Sequence, residues 1–453
     1  MNFTKLALSK EMLHNLNEIG YKDMTDIQAE SLPYILDSKD VIAQAKTGSG
    51  KTAAFGIGIL TKLQVKKFRV QSLILCPTRE LADQVAKELR LLARATHNVK
   101  ILTLCGGTAF GPQLGSLRHG AHIIVGTPGR ILKHLKKETL SLKDLDMLVL
   151  DEADRMLDMG FSEEINEVLG FAPKQRQTLL FSATYTDEIV EISKKIQVDA
   201  ISVKTISKES ANKITEYFYE VRDDSKISTL VNICSTFKPK NVIVFCNTKV
   251  QADTIASSLQ NKKIDALAIH GDLEQYDRND VLVQFANKSC CVLVATDVAA
   301  RGLDIKELSM VVNFDMPHEM ETYTHRIGRT GRAGAEGLAF TLYEDYEIQK
   351  VDEYKNETRK FEDMDSLKVV NGFEMKPEFI TLVIEGGKKD KVRAGDILGA
   401  LTGDAGLKGS SIGKIDIYER QSYVAIQSDL IDDAYKKLKN GKIKAKKFSV
   451  WVL

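Results

Sequence analysis

Met147–Asp158 reads MLVLDEADRMLD. Four apolar residues run without interruption into Asp151, Glu152 and Asp154. An unbroken apolar run of this length marks a strand buried on both faces, as in parallel sheets covered by helices. The three carboxylates then fall at the carboxyl end of the strand, where open α/β sheets place their ligands. Clustered carboxylates repel one another, so a cation is expected opposite them, and magnesium carried on a nucleoside triphosphate is the natural candidate. Alone, the same tetrapeptide reads at least as well as the acidic first turn of a helix. Its surroundings decide between the two.

Upstream, Asp40–Gly56 reads DVIAQAKTGSGKTAAFG. Val41 and Ile42 can end a strand. Ala45, Lys46, Thr47, Gly48, Ser49, Gly50, Lys51 and Thr52 then form a phosphate loop, with Ala45 where the usual pattern has its first glycine. Gly48 and Gly50 let backbone N–H groups converge on phosphate oxygens, Lys51 reaches the terminal phosphates, and the Thr52 hydroxyl can ligate magnesium. Further apolar runs, SLILCPT from Ser72, KILTLCGG from Lys100, HIIVGTPGR from His122 and TLLFSAT from Thr178, alternate with helical or polar stretches. Such βαβα alternation predicts a parallel sheet with right-handed crossovers, here a RecA-like NTPase core. Before it, Met12, Leu13, Leu16 and Ile19 recur at helical spacing.

The rhythm lapses over Lys204–Lys213, KTISKESANK, and resumes in NVIVFCNT, IDALAIHGD, CVLVATDVAARGLDI and LSMVVNFDMP. This second α/β domain lacks a phosphate loop but carries HRIGRTGRAG, His325–Gly334, and leaves through a helical segment from Tyr346 to about Phe361. TLVIEGG, DILGALTG, IGKIDIYE, YVAIQSD, LIDDAYKKLKNG and KKFSVWVL then suggest a small β-α-β-β-α-β sandwich. The expected fold is α/β: two tandem RecA-like parallel-sheet domains and a small α+β RRM-like domain. The expected boundaries are 1–204, a linker at 205–213, 214–361, a linker at 362–374, and 375–453.

Lys+Arg 63 against Asp+Glu 62 leaves a formal charge of +1, so bulk charge announces no nucleic-acid partner and any basic surface is local. From Met375 to Leu453, fifteen Lys/Arg oppose ten Asp/Glu, a local excess of five, and Lys439–Lys447 holds five lysines in nine residues. Six scattered cysteines without a CxxC pair suit reduced thiols and exclude a zinc or disulfide framework. No apolar run approaches membrane-spanning length, and the start lacks a signal-peptide core. A soluble, cytoplasmic monomer is expected.

Taken together, these residues resemble the DEAD-box family of ATP-dependent RNA helicases. The motifs run in order: GYKDMTDIQ (Gly20–Gln28), AKTGSGKT, PTRELA (Pro77–Ala82), Gly106-Gly107, TPGR (Thr127–Arg130), DEAD, SAT (Ser182–Thr184), FCNT (Phe245–Thr248), HGD (His270–Asp272), QYDR (Gln275–Arg278), ATDVAARGLD (Ala295–Asp304) and HRIGRTGR. Met24 and Asp26 stand where the family usually has prolines. The resemblance implies that Gln28 reads the adenine edge and Tyr21 stacks on the ring. It implies that Asp151 holds magnesium, partly through water, and that Glu152 orients and deprotonates the attacking water. Arg329 and Arg332 match the family's arginine fingers, and Asp304 its ribose contact; Asp154, Ser182, Thr184 and His325 match the network that couples domain closure. Thr78, Arg79, Gly107, Thr127, Arg130, Thr248, Gly271, Arg278, Thr296 and Gly302 match its RNA backbone contacts. For Arg326 a surface salt bridge remains a fair reading.

The last domain resembles the RNA-binding domain of the DbpA branch of this family, through VRAGDILGAL (Val392–Leu401), IGKIDI (Ile412–Ile417) and SYVAI (Ser422–Ile426). Val383 and Gln421 replace aromatics that an RRM stacks on bases, so basic loops are expected to carry recognition. The candidates are Lys388, Lys389, Lys391, Arg393, Lys408, Lys414, Lys442, Lys444, Lys446 and Lys447. The resemblance implies ATP and magnesium as cofactors, and large-subunit (23S) ribosomal RNA in pre-50S particles as partner, with local unwinding as the activity. The alternatives are a general RNA chaperone in mRNA turnover or cold adaptation, a non-catalytic RNA clamp or scaffold, and a DNA helicase.

Overall fold

The computed structural model describes all residues except 46–47, 206–213, 301–307, 332–335, 357 and 404–405. They form two units that divide near residue 210. In the first, strands β1 (Val41–Gln44), β2 (Ser72–Leu75), β3 (Ile101–Leu104), β4 (Ile123–Gly126), β5 (Met147–Leu150), β6 (Gln177–Ser182) and β7 (Ile201–Lys204) make one sheet in the order β3-β4-β2-β5-β6-β1-β7. Every pairing is parallel. The β5 residues alternate between the sheet's two faces. Met147 and Val149 enter one core with Ile74 and Phe181, while Leu148 and Leu150 enter the other with Leu73 and Leu180. None of the four exceeds 2% exposure. Burial on both faces explains the unbroken apolar run, each such side chain contributing about 1.5–3 kcal/mol.

The second unit repeats the design. Strands β8 (Ile214–Glu220), β9 (Val242–Cys246), β10 (Ala266–Ile269), β11 (Val292–Thr296), β12 (Met310–Asn313), β13 (Gly337–Tyr343) and β14 (Lys360–Glu362) pair in parallel in the order β10-β11-β9-β12-β13-β8-β14. Subtracting seven from each label returns the order of the first sheet. The exit segment corrects the helical reading of Tyr346–Phe361. Among the described residues, helix is confined there to Ile348–Asp352 and a short preceding turn, after which β14 pairs with β8 and extends to Glu362. Nor is 362–374 a free tether. Met364, Leu367 and Phe373 pack on the second core, and the Ser235 hydroxyl donates to Lys368 O at 2.8 Å.

The same unit carries a four-stranded antiparallel sheet of β15 (Phe379–Ile384), β16 (Ile412–Ile417), β17 (Ser422–Gln427) and β18 (Val450–Val452), in the order β16-β17-β15-β18. With helices Ala394–Thr402 and Ile431–Asn440, this is the expected β-α-β-β-α-β arrangement. Leu382, Ile384, Val424 and Ile426 face these helices. The intervening Val383 and Tyr423 turn to the other face and pack with Trp451, Leu453 and Val283 of the helix Gln275–Ala286. The Tyr423 hydroxyl donates to Asp280 Oδ1 at 2.9 Å, and Gln421 Nε2 donates to the Tyr276 hydroxyl at 3.0 Å. Ser289 and Thr381 join hydroxyls at 2.7 Å. The face on which an RRM stacks bases is therefore engaged by the neighbouring RecA-like domain, which accounts for valine and glutamine at positions where that use requires aromatics.

Candidate nucleotide and RNA site

Parallel register brings the motif-bearing strand ends of the first sheet level, with Leu75 opposite Leu150, Leu150 opposite Leu180, and Gln44 opposite Ser182. Strand order then sorts the motifs. The phosphate loop, DEAD and SAT follow the adjacent strands β1, β5 and β6, whereas Gly106-Gly107, TPGR and PTRELA follow β3, β4 and β2. The two sets of motifs thus occupy two halves of one sheet edge.

Gly50 caps the helix Lys51–Lys62 with φ +91°, a left-handed conformation that only glycine adopts without strain. A Cβ there would also overlap Gln28 Nε2. Thr25 and Gln28 form a capping box on the helix Asp26–Leu36, Gln28 Oε1 accepting from Thr25 N at 3.0 Å. Gln28 Nε2 donates to Gly50 O at 3.1 Å, so this glutamine braces the phosphate loop. Each amide atom has spent one hydrogen-bonding position on the protein and retains another of the kind an adenine edge requires. Tyr21 lies edge-on to Phe3 and donates its hydroxyl to Glu88 Oε1 at 3.0 Å.

Lys51, 6% exposed, donates to Ala45 O at 2.9 Å. Asp151, Glu152 and Asp154 are no more than 4% exposed. Burial pushes the Asp151 carboxyl up to about 7, against the pull of Lys51. Its Oδ1 is buried without a hydrogen-bond partner. An ionisable oxygen held in that state fits a hydrated divalent cation. Asp154 differs. Burial would raise its carboxyl, but the Thr184 N–H and the Lys51 charge hold it below the usual range. Asp154 Oδ2 accepts from Ala183 N and Thr184 N at 2.9 Å and from the Thr184 hydroxyl at 3.1 Å. DEAD is thereby tied to SAT, and Ser182 closes β6 at 1% exposure.

On the other half of the edge, Arg130 Nη2 donates to Thr108 O at 2.9 Å and Nη1 to Gln113 Oε1 at 2.8 Å. Gly107, with φ +69°, and the TPGR helix Pro128–Lys136 are thus drawn into one patch. Thr78 caps the helix Arg79–Leu92. Gln113 lies on a helix, Phe110–Leu117, in a segment that reads as polar in sequence. In the second unit Thr248 caps the helix Lys249–Asn261, Gly271 is exposed after β10, Thr296 ends β11, and Arg278 lies half-buried on Gln275–Ala286. His325 is half-buried near the end of the helix Met320–Ile327, and Arg329, just beyond it, is 5% exposed. Lys46, Thr47, Gly302, Asp304 and Arg332 lie outside the described residues.

Arg326 corrects the surface reading. It is 2% exposed, and Nε and Nη2 grip Asp297 Oδ1 and Oδ2 at 2.7 Å each. Nη1 donates to Asp315 O at 2.8 Å, and the guanidinium lies 5.2 Å from the Phe245 ring centre. One side chain therefore ties the ends of β9, β11 and β12 to the arginine-bearing helix. Replacing it with alanine leaves the half-buried Asp297 and the buried Asn313 Oδ1 and Asp315 O without this donor, and the expected cost is about 1–3 kcal/mol. Chemical unfolding of the full chain measures this, and an unmoved midpoint would refute the keystone role. The i, i+29 spacing of Asp297 and Arg326 gives no local signal from which the pair could have been read.

A DEAD/DEAH box helicase family model matches residues 25–192, a helicase conserved C-terminal domain model 225–334, and a DbpA RNA binding domain model 381–452. ATP-dependent RNA helicase DbpA of Escherichia coli K12 is 50% identical over 99% of this chain and 98% of its own length. The Bacillus subtilis DbpA is 36% identical over the same shares. Among solved structures, Saccharomyces cerevisiae Dbp5 bound to RNA and ADP BeF3 is 30% identical, with a TM-score of 0.72 over 80% of this chain and 96% of that one. Phosphate-loop, DEAD and SAT motifs on three adjacent strands, the GG, TPGR and PTRELA motifs on three others, a second copy of the same seven-stranded sheet and a docked basic domain agree with these likenesses: the chain belongs to the DEAD-box ATP-dependent RNA helicases, in the DbpA-like group.

Proposed function

We propose that this helicase locally unwinds and remodels large-subunit ribosomal RNA while that subunit is assembled, in the cytoplasm, with its last domain as the address. The observation carrying this reading is the basic loop pair of that domain. Lys444 Nζ donates to Lys391 O at 3.2 Å, joining the loop of Lys388, Lys389, Lys391 and Arg393 to that of Lys442, Lys444, Lys446 and Lys447. All eight are exposed. A cluster of this kind binds phosphates of a folded RNA without using the engaged sheet face. Lys408 is exposed as well, whereas Lys414 is paired with Asp416 at 2.6 Å and contributes less.

In the core, Lys51 and the loop N–H groups hold the ATP phosphates, and Gln28 and Tyr21 the adenine end. Asp151 and Thr52 would hold magnesium, which neutralises phosphate charge and orients the γ-phosphoryl group. Glu152 takes a proton from the attacking water, and Arg329 and Arg332 meet the charge of the transition state. Thr78, Arg79, Gly107, Thr127, Arg130, Thr248, Gly271, Arg278, Thr296 and Gly302 contact sugar and phosphate, so the core is indifferent to sequence. Tethering then places specificity in the last domain, which raises the local concentration of one RNA.

Changing Lys388, Lys389, Lys444, Lys446 and Lys447 together to glutamate tests the address. ATPase stimulation by large-subunit ribosomal RNA is expected to fall to the level given by generic RNA, and turnover without RNA to stay unchanged. Equal stimulation of the unaltered protein by both RNAs would sink the targeting claim.

A further inference from the structure

Two cations divide the acidic cluster. Lys51 acts on Asp151 and Asp154. Glu152 has a cation of its own, Arg155, whose Nη1 donates to Glu152 Oε2 at 2.9 Å. Both side chains are no more than 5% exposed. The backbone adds to the constraint. Glu152 adopts φ 52° and ψ 53° at the entry to the helix Ala153–Asp158, a left-handed conformation that costs a non-glycine residue on the order of 1–3 kcal/mol. Arg155 follows three residues on, in the first turn of that helix, within hydrogen-bond reach of the Glu152 carboxylate.

We propose that Arg155 is a positioning residue for the hydrolytic step. This rests on Glu152 being the group that takes the proton from water. By gripping Oε2, the guanidinium stops rotation of the carboxylate and so sets where Oε1 points. The proton passes from water to Glu152 while the water oxygen bonds to the γ-phosphorus and ADP leaves; Arg155 keeps its own proton throughout. Arginine suits the task better than lysine because its planar fork fixes direction as well as charge. A merely structural ion pair would hold the turn together without governing the rate.

The test uses the full chain with saturating RNA. Arg155→Ala is expected to lower kcat by about 10- to 100-fold, the cost of a misplaced reacting group, with the KM for ATP and the equilibrium affinity for a fluorescent ATP analogue within about twofold. Arg155→Lys is expected to recover part of the loss. In a Glu152→Gln background, Arg155→Ala is expected to leave the residual turnover where it was, since the group it serves is already gone. Equal losses in both backgrounds, or a loss confined to KM, would overturn the proposal. Should Arg155→Ala fail to fold, Arg155→Lys decides alone: a kcat equal to that of the parent refutes it, and a reduced kcat at unchanged nucleotide affinity supports it. If Glu152→Gln itself leaves turnover intact, the assignment of the base has failed instead, so the two failures are distinguishable.

Discussion

Arg329→Ala is expected to lower RNA-stimulated kcat by about 10³–10⁵, the range over which an arginine acts on a transferring phosphoryl group. Arg326, three residues earlier, has a different part. Both arginines are nearly buried at one helix end, at 5% and 2% exposure. Arg326 spends Nε, Nη1 and Nη2 within its own domain, on Asp297, on Asn313 and on Asp315 O. A residue committed in that way holds the fold, and its loss belongs in an unfolding curve. Arg329 lies one turn further along, past the helix end at Gly328, and its backbone N–H donates to Arg326 O at 3.2 Å. Arg326 thus fixes the turn from which Arg329 projects. Steady-state turnover, ATP affinity and thermal unfolding should be read on the same preparations. The Arg329 variant is expected to lose far more in the first than in the other two. Arg329→Lys keeps the charge but loses the fork that matches phosphate oxygens, and is expected to recover little. A drop of less than about tenfold, roughly 1.4 kcal/mol of barrier, would remove Arg329 from the chemistry.

What could be read from the sequence follows from the range of the interactions involved. MLVLDEAD and GSGKT announce themselves because strand burial and phosphate binding are encoded in contiguous residues. So does the alternation that builds each parallel sheet and the small β-α-β-β-α-β domain. Interactions between distant residues left no such trace. Tyr423 meets Asp280 across 143 positions, and no periodicity in either segment foretells that the small sheet turns one face to the helix Gln275–Ala286. The strand β14 was hidden because a three-residue element carries no period. Phe110–Leu117 was hidden because two glycines and a proline weigh against a helix, although a proline within the first turn is tolerated. One local signal was legible: Thr25-Asp26-Ile27-Gln28 is a capping-box pattern, and it explains how this helix starts without the family's usual prolines.

Glu152→Gln is expected to lower turnover by about 10²–10⁴, the contribution of a positioned general base, while the protein still folds and still binds ATP and RNA. The substitution is nearly isosteric. Its amide oxygen can still accept from Arg155, so the buried side chain is not left without a partner, and the left-handed turn has no new reason to collapse. What disappears is the capacity to take a proton. Removing the negative charge also relieves repulsion within a cluster that already holds Asp151 and Asp154, so the affinity for ATP is expected to hold or rise rather than fall. If hydrolysis is what releases RNA, the variant should form a complex with ATP and RNA that outlives that of the parent. Single-turnover hydrolysis and the lifetime of the RNA complex, measured together, separate the possible outcomes. Slow hydrolysis with a long-lived complex is expected of an enzyme whose grip on RNA is timed by its chemistry. Unchanged hydrolysis would move the base elsewhere, and slow hydrolysis with unchanged RNA release would detach release from the chemical step.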